Sequence, residues 1–365
     1  MHKAFVPARL TQARRRRALT KGRLAAASGL SARSITGYET GETVPTDETV
    51  AALAKVLQFP TEFFFGADPV RIETDRVSFR ALTSMTTAQR GTATAAGELA
   101  IELDNWIAQR FTRPTSEVPD LRGATPEVAA DAVRAQWGLG HRRIPSLIHL
   151  FESKGVRVYS LVQESREVDA FSMWWGDTPF IFLNTIKTAE RSRFDAAHEL
   201  GHLVLHRHGA PSGRTAELEA NQFASAFLMP RADILARAPR YPTVESIVRA
   251  KANWGVSALA LVYRLHSVGR LTDWHYQQLC IRIKSQYGPV EPAEMPRESS
   301  QVLAKVLADM RREGIGRREI ARDLRVSTRE LDELIFGLVL TPVKGNGGEP
   351  NSSAGGSAKP SLKVL

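Results

Sequence analysis

Cysteine occurs once in the 365 residues, at Cys280. A single thiol excludes an internal disulfide framework, and a zinc site built from cysteines needs more of them. This usage fits a reducing compartment, so the cytoplasm is the expected location. No apolar run approaches the ~20 residues that span a bilayer, and no membrane partner is expected. The basic N-terminus is not followed by an apolar stretch, so a secretory leader is not expected either. Acidic residues are missing from the start of the chain, the first being Glu39. The same stretch holds nine Lys and Arg, namely Lys3, Arg9, Arg14, Arg15, Arg16, Arg17, Lys21, Arg23 and Arg33. Net charge over the whole chain is +10, so nearly all the excess lies in the first tenth. Such an imbalance fits either a solvated basic arm or a surface that meets a polyanion.

What is present begins with closely spaced helix signals. Leu19 to Ala27 reads as a short helix with Thr20 as N-cap. Ser28-Gly29-Leu30 is a turn in which Gly29 can take positive φ. Ser31 caps a second helix reaching Tyr38 or Glu39, with Ile35 inward. Gly41 and Pro45 punctuate its exit. A third helix starts near Thr46 and repeats Val50, Leu53, Ala54 and Leu57 at helical spacing. Two short helices about a glycine turn suit a DNA major groove.

Leu24-Ala25, Gly29-Leu30-Ser31, Ile35, Glu39-x-Gly41, Pro45 and Leu53-Ala54 together resemble the XRE (Cro/repressor-like) helix-turn-helix family over roughly residues 10–66. The resemblance implies that Ala32 to Glu39 is the recognition helix. Arg33, Ser34 and Thr36 would then face base edges or nearby phosphates, with Lys21 and Arg23 near the DNA backbone. A double-stranded DNA operator is the implied partner, and a homodimer is an expectation, because such modules commonly read paired half-sites. Gly37 departs from the pattern and costs about 1 kcal/mol of helix propensity.

Farther along, residues 86–111, 126–137 and 145–154 read as helices. Three short apolar runs follow: Val156 to Val162, Ala170 to Trp175 and Pro179 to Asn184. They predict a small, mainly antiparallel sheet. The expected fold class is mainly α with a small antiparallel β-sheet (α+β). A long helix starts near Ala189 or Arg191 and carries Ala197-His198-Glu199-Leu200-Gly201-His202-Leu203-Val204-Leu205-His206.

His198 and His202 stand four apart, so one helical face offers two imidazoles to one ion. Glu199, beside the first, is placed to take a proton from a water that such an ion acidifies. A catalytic zinc needs a third protein ligand. Glu217 and Asn221 share one face of a following helix, so Glu217 can ligate while Asn221 holds the outer nitrogen of a histidine. Glu219 points roughly 160° away from Glu217 on an ideal helix and is the less favoured choice. His208 is a weaker competitor, since metzincin sites with that spacing turn at a glycine and this chain has Leu205 there. His206 and His208 are expected at the helix C-terminus, where cations suit the dipole.

This region resembles the ImmA/IrrE family of metallo-endopeptidases. The likeness rests on Asn184, Arg191, Arg193-Phe194, the 197–206 block, Glu217-x-x-Ala220-Asn221-x-Phe223-Ala224 and Phe227-Leu228-Met229-Pro230, and covers roughly residues 150–265. It implies a gluzincin-like zinc (Zn2+) site with His198, His202 and Glu217 as ligands and Glu199 as general base. It also implies a protein substrate, a repressor-type regulator. The rival reading is a regulator or antitoxin-like repressor whose metal site is structural or sensory.

Residues 301–340 repeat helix-turn-helix spacing (Ile315-Gly316 to Glu330-Leu331), for which a helical pair serving packing or dimerisation is the preferred reading. The expected organisation is 1–68 DNA-binding, 69–149 helical connector, 150–285 peptidase, 286–340 C-terminal helical segment and 341–365 disordered tail.

Overall fold

The computed structural model describes residues 4–72, 77–78, 86–161, 170–207 and 213–339. The expected tail at 341–365 and the competing His208 lie outside these residues.

Four helices open the chain: α1 (Pro7–Arg16), α2 (Lys21–Ser28), α3 (Ala32–Thr40) and α4 (Asp47–Leu57). Thr20, Ser31 and Thr46 each accept a hydrogen bond from the backbone N–H three residues on, so three short helices start on their own caps. Gly29 and Gly41 end α2 and α3 in the left-handed region. The core beneath them is Leu10, Ala13, Leu24, Ile35, Val50, Leu53 and Leu57, all buried. The composition of residues 1–38 allows a basic arm or a polyanion surface, and residues 7–16 lie within that stretch. They form a helix because Leu10 and Ala13 give the run an inward face. Gly37 is explained by close approach: a Cβ there would lie 2.6 Å from Thr43 Oγ1, whose residue donates its backbone N–H to the Gly37 carbonyl.

The middle of the chain comprises β1 (Val77–Ser78), α5 (Thr87–Ala108), α6 (Pro126–Gln136), α7 (Leu147–Ser153), β2 (Arg157–Ser160), β3 (Ala170–Trp175) and β4 (Thr178–Leu183). The strands form one sheet in the order β1-β3-β4-β2. β1 with β3 and β3 with β4 are antiparallel, as expected, but β2 runs parallel to β4. The sheet is therefore mixed and not purely antiparallel. The β3–β4 hairpin reverses the chain once, and β2 joins the far side of β4 running in β4's direction. Phe171, Phe180, Ile181 and Phe182 are buried within it.

Helices return with α8 (Ala189–Leu205), α9 (Arg214–Leu228), α10 (Arg231–Arg237), α11 (Val244–Ala250), α12 (Ala258–Ser267) and α13 (Asp273–Tyr287), then α14 (Gln301–Arg312), α15 (Arg317–Asp323) and α16 (Thr328–Ile335). α8 packs on β3 and β4, and α9 packs along α8. The architecture is α+β with helix dominant. Among the described residues no helix is long and apolar enough to cross a membrane.

Candidate metal centre and nucleic-acid interface

α8 starts at Thr188, whose side chain accepts from the Arg191 N–H, and nearly all of it is buried. Burial raises the cost of its polar residues, so His198, Glu199 and His202 require partners. α9 supplies several of them. Gly201 allows it: a Cβ there would lie 3.2 Å from Ala220 Cα and 3.1 Å from Phe223 Cδ1, so the two helices meet almost backbone to backbone. That approach brings the first turn of α9, with Glu217, over the histidine row. The dipole of α9 favours a carboxylate in its first turn.

His198 Nε2 and His202 Nε2 are 3.0 Å apart. Glu217 Oε2 lies 3.7 Å from the first nitrogen, and Oε1 lies 3.4 Å from the second. Three donors about 2.1 Å from a tetrahedral ion would be about 3.4 Å from one another, so these spacings bracket the value for zinc. Two imidazoles and one carboxylate are also a donor set zinc accepts. His198 turns its other nitrogen, Nδ1, to Asn221 Oδ1 at 3.0 Å. Glu199 is fully buried beside the trio, and Ser172 on β3 donates its hydroxyl to Glu199 Oε2 at 2.7 Å.

Glu219 is not in the trio. Its Oε2 sits 2.9 Å from His206 Nε2, and His206 Nδ1 sits 2.9 Å from His202 Nδ1. Burial pushes the His206 imidazole below its ordinary pKa. His206 does stand at the helix C-terminus, as the cap of α8, but its ring is buried between His202 and Glu219 and not free at the helix end. Sequence reading also missed Ser172. A lone hydroxyl on the buried face of an apolar strand was the available signal.

At the helix-turn-helix, Arg23 and Arg33 are exposed and form no ion pair among the described residues. The other three candidates are engaged internally. Lys21 Nζ reaches Thr36 Oγ1 at 3.3 Å and Glu39 Oε2 at 3.7 Å. Thr36 donates back to the Ala32 carbonyl, and the Ser34 hydroxyl pairs with Ser31 Oγ at 2.8 Å.

Much of the basic run meets carboxylates within the chain. Arg9 pairs with Glu102, Arg14 with Glu39, Arg16 with Glu330 and Glu333, and Arg17 with Glu330. Neither a solvated arm nor a polyanion surface describes these four. The second helix-turn-helix spacing is likewise a packing element: Glu330, Leu331, Leu334 and Ile335 of α16 are buried, and Glu330 faces α1.

Residues 151–266 match the model of the IrrE N-terminal-like domain (Peptidase M78), and residues 8–62 match that of a helix-turn-helix domain. These stretches contain every candidate residue named above for metal and for DNA. The chain thus joins a helix-turn-helix domain to a domain of a metallopeptidase-type family. No curated protein matches the chain.

Proposed function

We propose that this protein is a DNA-binding transcriptional regulator that carries a zinc-dependent endopeptidase, and that its substrate is another regulator protein. The convergence of His198, His202 and Glu217 ligand atoms within 4.8 Å of one another carries this reading. Zinc bound by those atoms would supply Lewis acidity, polarising a peptide carbonyl and acidifying a water. Glu199 is the base that takes the proton from the attacking water and returns it to the leaving amide nitrogen. Ser172 orients that carboxylate through Oε2. Asn221 fixes the His198 ring by accepting from Nδ1. Arg33, with Arg23, makes the main contact to a double-stranded operator, and Lys21, Ser34 and Thr36 shape the helix pair around them. A homodimer reading two half-sites and a cytoplasmic location complete the proposal, with the five-part division given by the sequence as its organisation.

Metal analysis of the purified protein tests it, with and without His198→Ala. One zinc per chain, lost in the variant, is expected. Cleavage of a co-expressed regulator by wild type and not by Glu199→Gln is the second requirement. Full burial of His198 and Glu199 favours one other reading, a structural or sensory metal site. Zinc retained by Glu199→Gln together with equal cleavage by that variant and wild type would rule Glu199 out as the base.

A further inference from the structure

We propose that His206 and Glu219 form a relay that holds His202 in its metal-facing orientation, which makes His206 a positioning residue of the site. The inference rests on the metal reading above and extends it to two residues outside the ligand set.

A carboxylate only accepts, so His206 Nε2, 2.9 Å from Glu219 Oε2, must carry a hydrogen. In a neutral ring the other nitrogen, Nδ1, then holds a lone pair. That lone pair faces His202 Nδ1 at 2.9 Å, so His202 Nδ1 must carry the hydrogen between them. His202 is left with its lone pair on Nε2, the atom 3.4 Å from Glu217 Oε1 and 3.0 Å from His198 Nε2. One self-consistent set of protons satisfies both contacts and points the correct atom inward. His198 reaches the same state by a shorter route, through Asn221.

Position supports the relay. His198, His202 and His206 follow one another at intervals of four along one row, so each ring lies against the next. His206 is too turned away to ligate: its two nitrogens are committed to His202 and Glu219. The Glu219 side chain is 34% exposed, so the negative charge stays at the rim in contact with water. Charge at that end raises the basicity of His202 Nε2 through His206, and the two hydrogen bonds fix the ring plane. Outer partners of this kind are worth roughly 10–100-fold in metal affinity.

Zinc affinity of the full-length protein, measured by competition with a chromophoric chelator, is the test. His206→Leu should bind zinc roughly 10–100-fold more weakly. His206→Asn, which keeps an oxygen near the Nδ1 position, should recover most of that loss. Glu219→Gln should weaken binding by less than His206→Leu does. Because Glu219 acts only through His206, adding Glu219→Gln to His206→Leu should cost nothing further. Wild-type affinity in His206→Leu overturns the proposal, as does full additivity of the two changes. In the cobalt-loaded protein the exchangeable ring N–H of His202 gives a second readout. Its signal should be protected from solvent in wild type and lost in His206→Leu, and a signal unchanged by the substitution overturns the relay. Should His206→Leu fail to fold, His206→Asn and Glu219→Gln carry the comparison, and wild-type affinity in Glu219→Gln then counts against it. Retention of zinc by His198→Ala would mean that the metal reading itself had failed. Loss in His198→Ala with no effect of His206→Leu would mean that only the relay had.

Discussion

Glu330 and Arg16 stand 314 residues apart in the chain and form a buried ion pair, with Arg17 on the other oxygen of the same carboxylate. The pair joins α16 near the C-terminus to α1 of the helix-turn-helix. It accounts for two arginines that composition would assign to a polyanion. Trp106 of α5 and Arg110 just past its end reach Asp323 of α15 nearby, and Arg325 donates to the Phe65 carbonyl, so the seam continues on either side.

Removing the carboxylate should therefore be costly. Glu330→Ala takes the carboxylate from Arg17 and one of two from Arg16, which keeps Glu333, and should destabilise the fold by about 3 kcal/mol, the low end for a broken buried pair. Arg329, exposed where it pairs with Glu333, is a control: Arg329→Ala leaves Glu333 with Arg16 and should cost under about 1 kcal/mol. Urea unfolding with added salt separates them, because salt screens the surface pair much more than the buried one. Equal effects of the two substitutions would refute the assignment.

Stability should depend on pH through Glu98 of α5. Burial pushes its carboxyl up to about 7 from 4.5, against the smaller opposing effects of the Ile72 N–H and Arg15. Below pH 4.5 the group is protonated folded or unfolded, and it contributes no penalty. Between pH 4.5 and 7 the folded chain holds the proton more tightly, so stability is lost as pH rises through that window. The loss should amount to about 3 kcal/mol above pH 7. Glu98→Gln should raise the urea midpoint at pH 8 and leave it nearly unchanged at pH 4.5. No gain at pH 8 would show that the carboxyl titrates normally.

DNA binding should depend most on the arginines that remain exposed. Arg33→Ala should weaken operator binding by about 1–3 kcal/mol and relax sequence preference if it reads a base. Arg23→Ala should weaken binding to all sequences alike and lower the salt slope by about one. Ser34→Ala and Thr36→Ala should do less, since both hydroxyls already bond within α3 or its cap. Titrations at two salt concentrations distinguish these outcomes, and an unchanged affinity and preference in Arg33→Ala would remove it from the readout.

Ser172→Ala tests the seat of the proposed base, Glu199. Losing one hydrogen bond to a carboxylate is worth about 1.5–3 kcal/mol, so turnover should fall by roughly 10–100-fold. Zinc content should stay at the wild-type level, because Ser172 touches Glu199 and none of the candidate ligands. A fall in zinc content of the same size would move Ser172 from the base to the metal site.

Local geometry explains what could be read directly. Helix starts were legible because Thr20, Ser31 and Thr46 need only their own next turn to cap. The meeting of His198 and His202 follows from a spacing of four, and the preference for Glu217 over Glu219 from the angle between neighbours on one helix. Each of these signals is contained within a few residues.

Partners from distant elements decided the rest. The arginines at the end of α1 look alike in the sequence, and only the ion pairs reaching across from α16 assign Glu330 to Arg16 and Arg17. Ser172 reaches Glu199 because β3 lies against α8, and Glu219 reaches His206 because Gly201 lets α9 close on α8. The parallel placing of β2 beside β4 is of the same kind. Periodicity reports which face of an element is apolar, but the side chain that meets a buried charge is chosen by how elements dock. Residue spacing along the chain carries no measure of that.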